Sequence, residues 1–193
     1  MVSLKNEKDI ECLRKAGKIV VDALNLVRDN IRPGVDTLTL DEKAEKLITD
    51  SGARPAFKGY TVPGVPKPFP GTLCISINNE VVHGIPSGDR VLEEGDIVSI
   101  DVGVRIDGFY GDAAYTFPVG RISPEREALL KVTRECLERA ISAANEGATL
   151  GDIGHAVESW ATPRGYGIVR NYAGHGIGRN LPEARTNPKF GGP

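Results

Sequence analysis

The clearest alternation of apolar and polar residues along the chain runs from residue 97 to residue 117 and predicts a β-hairpin. Asp107-Gly108 in its middle predicts a two-residue turn, since both positions tolerate a positive φ. One side of the first strand is apolar and the other is mostly polar. The apolar side comprises Val98, Ile100, Val102, Val104 and Ile106, and the opposite side comprises Ser99, Asp101, Gly103 and Arg105.

The register of this hairpin brings two carboxylates together. A two-residue loop pairs Gly103 with Asp112, which makes Asp112 the diagonal neighbour of Asp101 on one face of the sheet. Two carboxylates at that distance repel each other unless a proton or a cation lies between them. Gly103 and Ala114 beside them are small and are expected to leave room. The pattern predicts a carboxylate pair that bridges metal ions; a solvated polar face is the alternative from the hairpin alone.

Apolar residues at spacings of three and four predict four helices. The first covers residues 6–30 with Asn6 as N-cap, and the second runs from about Thr39 to Asp50. The third begins after Ser123, and the fourth begins after Thr149 and ends before Gly165. Short strands are expected at residues 72–77 and 167–170.

A proline-rich segment, Val62–Pro70, separates the second helix from the first predicted strand. Its nine residues include four prolines, which exclude a helix or a central strand. We interpret it as a stiff surface loop. A Pro-x-x-Pro ligand for an SH3-type domain is the alternative.

Composition limits the classes of function that remain. The chain has 193 residues and a net charge of −2, so no basic surplus argues for nucleic acid as a partner. The sequence predicts neither a membrane span nor a signal peptide. Its three cysteines are far apart and match neither a disulfide framework nor a zinc-ligand spacing. We therefore expect a cytoplasmic protein.

A weak internal repeat relates the two halves of the chain. Each half reads helix, a Gly-containing connection, helix, strand and then His-Gly-Ile, at His83 in the first half and His175 in the second. In the first half, the carboxylate hairpin follows His83. The repeat predicts a second carboxylate-bearing hairpin after His175, where these 193 residues end.

Three motifs together resemble the type I methionine aminopeptidases, which have the pita-bread fold. They are Asn78…His83-Gly-Ile-Pro, Asp101-(ten residues)-Asp112 and Gly174-His175-Gly-Ile-Gly-Arg, and the similarity runs from about Leu4 to Arg179. The resemblance implies an α+β fold, a pseudo-twofold sandwich with helices outside a curved antiparallel sheet. Residues 1–193 would form a single catalytic domain whose second half is incomplete after the His-Gly-Ile-Gly motif.

The resemblance also implies roles for individual residues. Asp101 would bind one divalent metal ion, Asp112 would bridge two, and His175 would bind the other. His83 would contact the scissile amide of the substrate and help to stabilise the transition state. Tyr60 and Cys74 would line the pocket for the methionine side chain. Carboxylate and imidazole ligands suit Co, Mn, Fe or Zn. The reaction would be removal of the N-terminal methionine from nascent proteins by metal-activated water.

The sequence departs from the family's pattern in two ways. Pro182 stands where the family has a second substrate-site histidine, before Glu183. The family also supplies two further glutamates from later strands, beyond residue 193. These departures raise the alternative of a non-catalytic homologue that binds a peptide or a partner chain; a proline-specific relative is a third hypothesis. We expect residues 1–193 alone to be inactive, and to self-associate or bind a partner chain through an open sheet edge.

Overall fold

The computed structural model describes residues 4–61, 64–187 and 190, without the side chains of residues 184–187. The described chain divides into two compact units. The larger unit contains the residues up to Ile122 together with Ile177–Leu181. The smaller unit contains Ser123–Gly176 and the residues from Pro182 onward.

The larger unit is built around one long antiparallel hairpin. Strand β3 (Ile97–Ile106) pairs along its whole length with β4 (Phe109–Pro118). On its other side, β3 pairs with β2 (Leu73–Ile77) and with the two-residue β1 (Arg54–Pro55). The turn is formed by Asp107 and Gly108, with φ of 51° and 81°. The predicted hairpin, its turn and its register are confirmed.

Two helices cover the apolar face of this sheet. Helix α1 (Glu7–Asn30) begins with a capping box between Asn6 and Asp9. Helix α2 (Thr37–Asp50) begins two residues earlier than predicted, because the Asp36 side chain accepts from the backbone N–H of Thr39 and caps it there. The five apolar residues predicted for one side of β3 all lie in the core between sheet and helices: Val98, Ile100, Val102, Val104 and Ile106.

The smaller unit consists of two helices and a two-stranded sheet. Helix α3 (Pro124–Ala143) is capped by Ser123, and α4 (Leu150–Ala161) begins with a capping box between Thr149 and Asp152. A 3-10 turn, Thr162–Arg164, follows α4. Strand β5 (Gly174–Gly176) then pairs antiparallel with β6 (Glu183–Asn187).

The strand predicted at residues 167–170 is wrong. These residues have irregular backbone, and Val169 is 50% exposed. A run of four residues with so little burial gains too little from packing to specify a strand. Within the described part of the chain, no helix is both long enough and apolar enough to cross a membrane.

Candidate metal centre

The polar face of the sheet carries the predicted carboxylate pair. Asp101 pairs across the hairpin with Ala114, and Gly103 pairs with Asp112, so the two aspartates are diagonal neighbours. Cys74 of β2 pairs with Asp101 from the other side. Residues that pair directly across antiparallel strands point to the same face. The sheet therefore brings Asp101, Asp112 and Cys74 together, as the sequence predicts for the two aspartates.

The carboxylates perturb each other strongly. Burial, the charge of Asp112 and a hydrogen bond to the Asp112 side chain together raise the pKa of Asp101 to about 7. Burial and then the charges of Asp101, Asp112 and Asp41 raise the pKa of the Cys74 thiol to about 12. Cys74 is 5% exposed and stays a neutral thiol at neutral pH. Two carboxylates that share one proton when no cation is present form a donor set suited to a divalent cation.

The space beside the aspartates is narrower than the sequence predicts. A Cβ placed on Gly103 would lie 2.6 Å from the ring of Phe57 and 3.0 Å from the Cβ of Ala56. The ring of Phe57 therefore occupies the room that the missing side chain of Gly103 leaves. The sequence offered no sign of this contact, because Phe57 lies in a loop far along the chain from β3. The opening remains on the side of Ala114, which is exposed.

Three hydroxyl groups also lie on this face, and of these the sequence predicts only Ser99 there. Ser76 and Thr116 each pair with Ser99, and the hydroxyls of Ser99 and Thr116 lie 2.8 Å apart. Ser76 is buried and its Oγ accepts from the backbone N–H of Gly84 at 3.1 Å. The signal was present, since all three residues share the strand parity of Cys74, Asp101 and Asp112. They extend the polar face toward the loop that carries His83.

His83 lies on the loop that follows β2. Its side chain is exposed, and its backbone has φ of 63°, in the left-handed region. The next residue, Gly84, is hydrogen-bonded to β2 at two points, to the N–H of Ile75 at 2.8 Å and to the hydroxyl of Ser76 at 3.1 Å. The structure thus places the His83 loop against the edge of β2, at Ile75 and Ser76, the two residues that follow Cys74.

Tyr60 lies two residues before the proline-rich segment Val62–Pro70, of which residues 62 and 63 fall outside the described residues. Phe69 N–H donates to Tyr60 O, and Gly59 N–H donates to Phe69 O, both at 2.8 Å. Tyr60 is 45% exposed. These two hydrogen bonds hold Phe69 beside Gly59 and Tyr60, and the role of Tyr60 beside a substrate remains a prediction.

His175 belongs to the smaller unit, on β5. Its Nδ1 lies 3.1 Å from the carbonyl oxygen of Gly176. Because a carbonyl oxygen only accepts, Nδ1 is the donor in this contact. A histidine whose Nδ1 donates to a backbone carbonyl offers its Nε2 to a metal ion.

The described residues of the two units contain no group of three or more His, Cys, Asp and Glu side chains arranged to hold a metal ion. The structure therefore shows a pair of hydrogen-bonded carboxylates in the larger unit and, in the smaller unit, a histidine whose Nδ1 contacts a backbone carbonyl. Both fit a metal ion in donor chemistry.

Known proteins resemble this chain over its whole length. The sequence profile described as Metallopeptidase family M24 matches residues 11–192. The methionine aminopeptidase of Clostridium acetobutylicum is 46% identical over 193 residues, which are 100% of this chain and 75% of that protein. Methionine aminopeptidase 1 of Bacillus subtilis is 41% identical with the same coverage.

Solved structures give the same result for the fold. The crystal structure of methionine aminopeptidase from Thermotoga maritima matches with a TM-score of 0.95 and 40% identity, over 100% of this chain and 75% of that one. A prolidase from Pyrococcus furiosus matches with a TM-score of 0.81 but only 24% identity, over 98% of this chain and 53% of that one, and shows a shared fold alone. The pita-bread α+β fold that the motifs imply is confirmed.

Proposed function

The chain belongs to metallopeptidase family M24 and is a homologue of the methionine aminopeptidases, and from this premise we propose that Asp101, Asp112 and His175 hold two divalent metal ions. The reaction is removal of the N-terminal methionine from nascent proteins. The observation that carries this proposal is the pair of hydrogen-bonded carboxylates on the polar sheet face, with the His83 loop fastened to the edge of the same sheet.

The residues present fit such ions by donor type. Asp101, Asp112 and His175 would hold these ions, His175 through Nε2. Carboxylate and imidazole donors suit Co, Mn, Fe or Zn. When bound, these ions supply a water of lowered pKa and polarise the scissile carbonyl.

The family match supports the inclusion of His175. It covers residues 11–192, a range that contains Asp101, Asp112 and His175.

The remaining roles concern the substrate. His83 contacts the scissile amide and helps to stabilise the transition state. Cys74, a neutral thiol, and Tyr60 line the pocket for the methionine thioether, which fits such a pocket by shape and polarisability. The substrate is the free N-terminal peptide of a newly made protein, and the protein acts in the cytoplasm.

Two further proposals concern organisation. Both units belong to one catalytic domain, because the family resemblance crosses the division between them. Open strand edges of the pita-bread sheet are the surfaces for self-association or a partner chain.

A second candidate function is peptide binding without cleavage. Pro182 favours it, because proline stands where the family has a substrate-site histidine and its ring nitrogen cannot donate a hydrogen bond. Strand β6 begins directly after Pro182.

The test is methionine release from a Met-Ala-Ser peptide by a metal-loaded chain that continues past residue 193 through the two further glutamates of the family. Residues 1–193 alone, which we expect to be inactive, are assayed beside it. We expect the longer chain to release methionine from this peptide and not from its N-acetylated form, since the free amine would be held at the metal centre. His83→Ala should lower kcat by about 10²–10⁴-fold with metal content retained. His155→Ala, which removes an exposed histidine of α4, is the matched control and should leave kcat unchanged. Binding of the peptide without any release would establish the second candidate instead.

A further inference from the structure

The loop from Asn78 to Arg90 carries His83 in a backbone conformation that needs support. His83 has φ of 63°, which is uncommon for a residue other than glycine and costs free energy unless neighbouring contacts hold it. The side chain of His83 is exposed, and contacts made by the rest of the loop support this backbone conformation.

One side chain joins the loop to the sheet on both sides of His83. The Arg90 Nη1 donates to Ile75 O at 3.1 Å, on β2, and to Ile85 O at 2.6 Å, two residues after His83. The Arg90 Nη2 pairs with the carboxylate of Glu80, three residues before His83. The same Glu80 oxygen accepts from the N–H of Ile77 at 2.8 Å, at the end of β2.

The backbone of Arg90 is hydrogen-bonded to the start of α2. Its carbonyl oxygen accepts from the N–H of Thr37 at 2.9 Å, at the first residue of α2. The hydroxyl of Thr37 donates to Ser87 O at 3.0 Å and accepts from Ser87 N–H at 2.9 Å. Thr37 and the nearby Leu92 are fully buried. The backbone of Arg90 is therefore held at the start of a packed helix, and its side chain extends from there to the loop that carries His83.

The loop also closes the outer edge of β2 with little clearance. Ile75 N–H donates to Gly84 O at 2.8 Å, while Ile75 O accepts from Arg90, so both backbone groups of Ile75 are satisfied by the loop and its arginine. A Cβ on Gly84 would lie 2.0 Å from Ile75 O. The residue after His83 is thus held against the strand at a distance that only glycine permits.

We propose that Arg90 is a positioning residue for His83: its guanidinium fixes the loop on both sides of the histidine and so sets where the imidazole meets the substrate. This inference rests on the proposed function of His83. An arginine suits the task, because its planar group offers several donors at once to three acceptors, whereas a lysine offers a single ammonium. Arg90 acts through the loop and touches no reacting atom.

Amide hydrogen exchange tests the positioning independently of activity. In Arg90→Met, we expect the amides of Ile75 and Gly84 to exchange at least about tenfold faster, because their bonds depend on the loop. Arg90→Lys should show an intermediate increase. Arg28→Met is the matched control, since Arg28 is an exposed arginine of α1 that pairs with its neighbour Asp29. Unchanged exchange in Arg90→Met would overturn the inference.

Turnover of the metal-loaded protein supplies the second readout. Arg90→Met should lower kcat about 10- to 100-fold with KM and metal content nearly unchanged, and added guanidinium ion should restore part of the loss in Arg90→Ala. A variant with faster exchange but undiminished kcat, in a protein where His83→Ala is inactive, would contradict the role of Arg90. If the chain that continues past residue 193 releases no methionine without any substitution, the proposed function fails, while the exchange measurement still decides whether Arg90 holds the loop.

Discussion

Asp101 shows how a single residue links the sheet to the proposed chemistry. Strand alternation places it on the polar face, and the hairpin register places Asp112 beside it. Burial raises the free-energy cost of having both carboxylates charged. A proton relieves this repulsion in the metal-free protein, and a cation would relieve it in the metal-bound protein. The same residue should therefore govern both stability and metal affinity as functions of pH.

The first prediction concerns the pH dependence of stability without metal. The pKa of Asp101 is about 7 in the folded chain against 3.8 as the ordinary value, so the folded state binds the extra proton between these two values. The free energy of unfolding should therefore fall as pH rises from about 4 to about 7. Urea unfolding in EDTA across this range should show a flatter profile for Asp101→Asn than for the unmodified protein.

Asp41 does not obscure this comparison. Burial raises its pKa as well, so it contributes a fall of the same sign, but it is present in both proteins and cancels in the difference. Metal binding must displace the shared proton, so affinity should rise with pH up to about 7. Equal slopes for the two proteins would show that Asp101 ionises normally in the folded state.

At the residue scale, the sequence predicts the contacts that a local rule determines. Alternation along β3 and a two-residue turn are sufficient to place Asp101 beside Asp112. The contact of Phe57 with Gly103, and those of Arg90 with Ile75 and Ile85, depend on how loops return to the sheet. No periodic pattern in the sequence predicts where a loop packs against a sheet, so these contacts can be identified only from the structure.

At the scale of elements, the packing of α1 on β4 fixes the strand that carries Asp112. Gly111 precedes Asp112 and points into the core, where a Cβ would lie 2.7 Å from the backbone of Ala16. The backbones of helix and strand therefore approach more closely than any side chain on residue 111 would allow. This contact fixes the position of the β4 backbone next to Asp112, and so the position of that carboxylate.

A pair of glycine substitutions tests this packing. Gly111→Ala should lower the free energy of unfolding by about 1–3 kcal/mol, because the added methyl must push α1 away from β4. Gly17→Ala is the matched control, since a Cβ at this position of α1 meets nothing within 4 Å. It should raise stability by about 0.5–1 kcal/mol through helix propensity. Equal effects of the two substitutions in thermal unfolding would refute the close contact.

Element boundaries follow the strength of the local signal. The helices predicted from periodicity and capping residues are present, and α2 begins at the cap that Asp36 provides. The prediction of a strand at residues 167–170 rested on apolar content alone, without a turn or a partner to fix it. Strands β2 and β3 form because each is paired with a neighbouring strand along its length. The four residues 167–170 have no such pairing in the described part of the chain.

At the scale of the whole molecule, the family assignment joins what each unit shows by itself. The motif order along the chain predicts that His175 serves the same metal centre as Asp101 and Asp112. The carboxylate pair arises from local hairpin geometry, whereas no local pattern links His175 to the two aspartates. Resemblance to the family therefore identifies His175, and strand periodicity alone does not.

The most direct test of the central claim is anomalous diffraction from crystals of the protein grown with Zn²⁺. We predict two neighbouring peaks, with Asp112 oxygens next to both. Asp101 oxygens should lie next to one peak and His175 Nε2 next to the other, at about 2.0–2.2 Å. Asp112→Asn should weaken both peaks, while Asp107→Asn, at the exposed hairpin turn, should change neither. Zinc bound away from Asp101 and Asp112, or no zinc in the unmodified protein, would contradict the account.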